Sequence, residues 1–170
     1  LPKLESPDDI GAFVTTGTGI TRRLPLCPLI HGGAQWIALT CLLTGGTCLL
    51  TTDASLDPGS ALRLAADEDA EFLMIIGDAV ALPLAAELRR NHALYDLSGL
   101  RLISSSGAIL SPAVKVSLEE YLPAVKIIDR FGASETGGQG RIKRSLDGRG
   151  PLQLIADEHT TVITDSGSRE

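Results

Sequence analysis

The sequence is poor in aromatic residues: Phe, Trp and Tyr make up 4% of its 170 residues, while 44% are hydrophobic. Leu, Ile, Val and Ala must therefore fill any core. A basic excess is also missing. The formal net charge is -6, which argues against nucleic acid or an anionic membrane surface as a partner, because either would call for a basic patch. The basic cluster Arg141-Ile142-Lys143-Arg144 is short and suits a solvated loop. No apolar run approaches the roughly 20 residues that span a bilayer. The opening LPKLESPDD does not have the form of a signal peptide. No two cysteines form a C-x-x-C pair, and Cys27, Cys41 and Cys48 leave an odd number in apolar surroundings. Buried free thiols in a reducing, cytoplasmic setting are the simplest expectation. Leu1 is not a methionine, so the chain is expected to be a fragment of a longer protein.

Two familiar signatures are absent as well. A nucleophile elbow needs G-x-S-x-G, and Gly132-Ala133-Ser134-Glu135-Thr136 ends in threonine. A dinucleotide fingerprint needs G-x-G-x-x-G after a strand, and Gly138-Gln139-Gly140-Arg141-Ile142-Lys143 ends in lysine.

What the chain does contain is an alternation of short apolar runs and helical patterns. LPLCPLI (24–30) leads into AQWIALTCLLT, a helix closed by Gly45-Gly46. TCLLTT (47–52) reads as a strand. Asp57-Pro58 supplies an N-cap and a first-turn proline for the next helix. FLMII (72–76) is a buried strand, and AVALPLAAELRR is a helix that tolerates Pro83 only near its first turn. LRLIS (100–104) precedes a second cap-plus-proline start at Ser111-Pro112, then the helix AVKVSLEEYL and the strand VKIID (125–129). Continuous apolar strands joined by helices predict an α/β fold, a parallel sheet covered by helices on both faces. Beyond Gly150, PLQLIA and TTVIT around DEH predict a hairpin or the start of a further, β-rich segment.

In such sheets ligands bind outside the carboxyl ends of the strands. Polar, glycine-bearing segments fall at those ends: HGG after CPLI, GD after FLMII, SSSGA after LRLI, and RFGASETGG after KIID. This placement points to one site assembled from several loops. In the last segment, glycines let backbone amides approach an anion. Ser134 can donate to a phosphate oxygen, Glu135 offers the hard oxygen that magnesium prefers, and Phe131 gives a flat face for a base. On composition alone, a turn with a solvated carboxylate accounts for the same residues.

The stretch Phe131-Gly132-Ala133-Ser134-Glu135-Thr136 resembles the aromatic-Gly-x-Ser/Thr-Glu motif of the adenylate-forming superfamily, which includes acyl-CoA synthetases, luciferases and peptide-synthetase adenylation domains. PLIHGGAQW (28–36) is similar to the family's P-L-x-H-x-x-x-x-W segment. YDLSGLRLISSSGAILSPAVK (95–115) is similar to the stretch carrying S-G-G-A-P-L-S, and GDAVALPL (77–84) fits bacterial fatty-acyl-CoA synthetases. These segments lie in the family's order from Pro28 to Gly140.

The resemblance implies that Ser106, Gly107 and Ala108 line an adenine pocket, with Asp129 near the exocyclic amino group and Phe131 on the ring. Arg130, Gly132 and Ala133 belong to the same nucleotide-binding stretch. Ser134 would contact the α-phosphate and Glu135 would hold magnesium. His31 would sit beside the acyl carboxylate, with packing as the alternative. Trp36, Gly77 and Asp78 would border an acyl tunnel. The resemblance implies neither role for His92 and His159, which are expected at the surface. The implied activity joins a hydrophobic carboxylic acid to coenzyme A through an acyl-adenylate, using ATP and Mg2+; a homodimer is left open.

The pattern also breaks in places. The family's phosphate loop resembles T-S-G-T-T-G-x-P-K-G; here SPDDIGAFVTTGTG (6–19) is followed by ITRR and no P-K-G. The loop is therefore expected to be missing near residues 19–20. Ser106 and Ile109 replace the usual glycine and proline of the adenine motif. The ribose-binding aspartate motif and the small C-terminal domain with its catalytic lysine are not present. Residues 1–150 are accordingly read as part of the nucleotide-binding N-terminal domain and residues 151–170 as the start of a β-rich segment. The chain alone is expected to be inactive. The alternative is a non-catalytic nucleotide- or acyl-binding member, or a scaffold.

Overall fold

A computed structural model describes residues 6, 8–9, 21–53, 55–143, 153–158, 160–161 and 163. The phosphate-loop segment, His159 and most of the second arm of the expected C-terminal hairpin lie outside the described residues.

Strands β1 (Arg22–Pro25), β2 (Thr47–Cys48), β3 (Phe72–Ile75), β4 (Leu102–Ser105), β5 (Lys126–Ala133), β6 (Gly137–Lys143) and β7 (Gln153–Ala156) form a seven-stranded sheet in the order β2-β1-β3-β4-β5-β6-β7. The pairs from β2 to β5 are parallel, and β5–β6 and β6–β7 are antiparallel. Helices α1 (Gly32–Thr44), α2 (Pro58–Asp67), α3 (Gly77–Asn91) and α4 (Pro112–Tyr121) connect the parallel strands.

The period-two alternation of β3 decides which helix lies where. Leu73 and Ile75 join Leu24, Ile103 and Ile127 on one face, packed by Ala61, Leu62 and Ala65 of α2, Val80, Leu84 and Leu88 of α3 and Leu118 of α4. Phe72 and Met74 point to the other face, against Ala34 and Ile37 of α1. Both faces are thus covered, three helices to one. Each fully buried leucine in the larger core contributes about 1.5–3 kcal/mol of transfer free energy. On the smaller side α1 leaves Trp36, Leu39, Leu42 and Leu43 exposed, although its sequence reads apolar all round, the pattern of a buried helix.

Local signals act much as the sequence indicates, with four differences. Asp57 does cap α2, its carboxylate accepting from the Ser60 amide at 2.6 Å. Ser111 occupies the N-cap of α4, but its hydroxyl makes no capping bond. α3 begins at Gly77, so Pro83 lies inside the helix and not in its first turn. The missing amide costs about 3 kcal/mol, and the burial of Val80, Ala81, Leu84, Ala85 and Leu88 along the same helix offsets it. The run TCLLTT keeps strand geometry only at Thr47 and Cys48, because this edge strand pairs with β1 alone. The RFGASETGG stretch is not a loop after a strand: β5 continues through it and turns back into β6.

All three cysteines are free; Cys27 and Cys41 are buried and Cys48 is half-buried. Burial, and then the neighbouring Cys48, push the Cys41 thiol up to about 11. His92 is exposed. Among the described residues no helix is long and apolar enough to cross a membrane.

Candidate active site

The strand order places a crevice before any side chain is considered. After β1 the chain turns onto the face covered by α1, whereas after β3 it turns through α3 onto the opposite face. Adjacent parallel strands whose connections part in opposite directions leave an opening at their carboxyl ends. A cavity of about 610 Å3 occupies this position, within the range of about 300–1,000 Å3 typical of small-molecule sites.

Its wall is drawn from four strand ends. Cys27, His31, Gly32, Gly33 and Trp36 follow β1, and Met74 and Ile76 come from β3. Ser104, Ser106 and Gly107 come from the end of β4. The β5–β6 hairpin supplies Arg130–Ser134, Gly137 and Gly138. Alternation again separates neighbours: Ser104 faces the cavity, while Ser105, fully buried, accepts from the Gly77 amide at 3.2 Å on the other side of the sheet.

The hairpin explains the glycines of its sequence. β5 pairs with β4 through Asp129 and with β6 from Arg130 onward, with an irregular register between Phe131 and Gly132. A β-carbon on Gly132 would lie 2.3 Å from the Gly137 carbonyl oxygen, and Gly137 itself has φ +72. Only glycine accommodates both the close approach and the left-handed turn exit. Ser134, Glu135 and Thr136 form the turn, all exposed, while Phe131 is 45% exposed beside the cavity.

His31 is the N-cap of α1, with extended backbone (φ -90, ψ 138) and no side-chain capping bond. Its imidazole therefore borders the cavity without being committed to the helix. The first amides of any helix lack intrahelical acceptors and carry the positive end of its dipole. In α1 that end opens on the cavity through Gly32 and Gly33, directly opposite Ser134.

Of the residues singled out from sequence, His31, Trp36, Ser106, Gly107, Arg130, Phe131, Gly132, Ala133 and Ser134 meet around this one cavity. Ala108 and Glu135 are exposed just outside its wall, and Asp129 is buried at the end of the β4–β5 pairing. Gly77 and Asp78 lie at the start of α3 and do not line it. Sequence reasoning passed over Met74 and Ile76, treating their strand as uniformly buried; the period of two within FLMII was the available signal, and Ser104 entered only as part of SSSGA. Another cavity, of about 260 Å3, lies beside Leu100, Tyr121 and Val125 at the opposite end of the strands.

The model of the family described as AMP-binding enzyme matches residues 13–161. The chain belongs to that family. Among its relatives, the medium-chain acyl-CoA ligase Mig of Mycobacterium avium is 35% identical, over 95% of this chain and 30% of its own length. The 3-oxocholest-4-en-26-oate–CoA ligase of Rhodococcus rhodochrous is 37% identical, over 86% of this chain and 27% of its own. Among solved structures, the amide bond synthetase McbA from Marinactinospora thermotolerans superposes with a TM-score of 0.67 at 25% identity, covering 95% of this chain and 33% of that one. This AMP-binding chain thus spans 30% or less of the length of these curated relatives.

Proposed function

We propose that the chain is the nucleotide- and acyl-binding core of an acid–CoA ligase that activates a hydrophobic carboxylic acid. The observation that carries this reading is the convergence, at one cavity, of the histidine segment, the adenine-motif segment and the Phe-Gly-Ala-Ser-Glu hairpin. The names of the relatives support the substrate class, since they act on medium-chain acids and on a steroid acid.

In this reading the adenine ring lies between Phe131 and the Ser106–Ala108 backbone, with Asp129 at the edge of the base. The backbone of Arg130, Gly132 and Ala133 follows the nucleotide, and Ser134 donates to an α-phosphate oxygen. The acid enters past Trp36 with its carboxylate near His31. A carboxylate oxygen attacks the α-phosphorus, the bond to pyrophosphate breaks, and acyl-adenylate forms. The thiol of coenzyme A then attacks the acyl carbon, yielding thioester and AMP. Charge builds on phosphate oxygens in the first step, so fixed donors such as the Ser134 hydroxyl and the α1 amides are the means of stabilising it.

Magnesium characteristically uses one or two protein carboxylates and completes its shell with substrate phosphates and water. Among the described residues no three metal-ligating side chains converge. The exposed Glu135, next to Ser134 at the cavity rim, fits an ion of that kind arriving with the nucleotide. When bound, the ion would supply Lewis-acid neutralisation of phosphate charge. This chemistry draws on ATP and coenzyme A, which supports a cytoplasmic setting.

The test is acid-dependent ATP–pyrophosphate exchange by the full-length protein carrying this chain, against short, medium, long and steroid-type acids. Exchange with hydrophobic acids is expected. Glu135→Ala should lower its rate by about 10²–10³-fold, the loss typical of a transition-state contact, with an unchanged melting temperature because the residue is exposed. Undiminished exchange in that variant would refute the magnesium role. ATP binding without turnover on any acid would favour a non-catalytic member, a reading motivated by the departure of residues 6–19 from the phosphate-loop pattern.

A further inference from the structure

The segment between β4 and α4, Ser106–Leu110, carries Ser106 and Gly107 into the cavity wall. Its own anchors lie at its two ends, where the Ser106 amide donates to the Ile75 carbonyl at 3.1 Å and Leu110 is buried in the core. Gly107 sits at φ +81 with no side chain to pack, Ala108 and Ile109 are exposed, and the Ser111 hydroxyl makes no bond to the helix it precedes. An N-cap serine ordinarily anchors such an entry through its hydroxyl.

Two residues from a different strand–helix junction hold the stretch between and beyond those anchors. The Gly77 amide donates to Ser105 Oγ at 3.2 Å, just before the segment. The Asp78 amide donates to the Ile109 carbonyl at 2.9 Å, inside it. The Asp78 carboxylate accepts from the Ser111 amide at 2.8 Å, just after it. The approach is close: a β-carbon on Gly77, already at φ +45, would lie 2.4 Å from the Ile109 oxygen and 2.7 Å from the Ala108 carbonyl carbon. Of these contacts the carboxylate–amide bond is charge-assisted, the stronger kind. Ser105 supplies the side chain in the first contact and Asp78 in the third, so Asp78 is the side chain that the β3–α3 junction itself contributes.

We propose that Asp78 is a positioning residue for the nucleotide pocket, setting Ser106 and Gly107 through Ile109 and Ser111, and that it does not act as a wall of the acyl tunnel. The inference rests on the reading of Ser106 and Gly107 as part of the nucleotide site. It makes a distinction that the sequence pattern could not: a residue in the acyl-associated segment governs the affinity for nucleotide.

The experiment measures AMP affinity by calorimetry, and the KM values for ATP and for acid by pyrophosphate exchange, in the full-length protein. Asp78→Ala should weaken AMP binding about tenfold, raise the ATP KM in parallel and leave the acid KM unchanged. Asp78→Asn keeps an acceptor oxygen and should recover most of the affinity. Asp78→Glu keeps the charge but displaces it, and should resemble Asp78→Ala. Should the alanine variant fail to fold, the contrast between the Asn and Glu variants decides the same point. Unchanged AMP affinity in folded variants, or a shift confined to the acid KM, would overturn the proposal while leaving the functional reading intact. Wild-type protein that binds no AMP would overturn both.

Discussion

Gly32, the first residue of α1, and Ser134, the first residue of the hairpin turn, face each other across the cavity mouth. A β-carbon on Gly32 would lie 2.6 Å from Oγ of Ser134 and 3.1 Å from its Cβ. More than a hundred positions separate them in sequence, yet the two ends of the site meet there with no room for a methyl group.

Gly32→Ala should therefore displace Ser134, at an overpacking cost of about 1–3 kcal/mol. In the full-length protein this should appear as weaker nucleotide binding, by about tenfold or more. Adding Ser134→Ala should recover part of the thermal stability without restoring affinity, because it removes the 2.6 Å contact with Oγ but also the proposed phosphate donor. A double-mutant cycle on melting temperature and AMP affinity separates the two effects. Strictly additive stability losses would show that the residues do not meet.

Trp36 is the sole tryptophan and is 55% exposed at the cavity wall. In the full-length protein, the part of the emission that Trp36→Phe removes is therefore a report from this one place. Titration with a medium-chain fatty acid should shift the emission to the blue as the indole leaves water, with saturation matching the acid KM. An unmoved spectrum at saturating acid would place the acyl chain elsewhere.

Far from the site, the Glu87 carboxylate accepts from Tyr95 Oη at 2.6 Å, Asn91 Nδ2 at 2.9 Å and Arg90 at 3.2 Å. The Tyr95 bond foremost, then those of Asn91 and Arg90, hold its pKa at about 2, below the ordinary 4.5. A carboxyl depressed on folding contributes stability above its unfolded pKa, and this is lost as pH falls through the folded value. The loss should run from 4.5 down to about 2. Tyr95→Phe should lower the urea midpoint at neutral pH and converge on wild type as the acid end of that window is reached. An equal difference at both ends would assign the effect to packing of the ring.

Much of this molecule was legible from local chemistry. Asp57-Pro58 starts a helix because a carboxylate and a proline suit its first turn, and FLMI is a strand because so short an apolar run, bounded by turn residues, suits a buried strand. The hairpin was less legible. DRFGASETGGQG reads as flexible backbone until the antiparallel partner is in place, since its glycines answer to carbonyls such as that of Gly137 and not to local propensity. Pro83 inside α3 is similar: its local cost is visible in the sequence, while the burial that offsets it is not.

The sequence by itself determined the alternation of strands and helices, the family, and the residues from which the site is made, because these follow from periodicity and short motifs. Tertiary structure decided which of those residues share a surface. Whether Ser104 or Ser105 faces the cavity depends on the pleat and on which face receives α1. Whether Asp78 lines the cavity or meets the Ser106–Leu110 segment depends on where the start of α3 falls beside the end of β4. Both are contacts between distant parts of the chain, and only the packed sheet sets their distances.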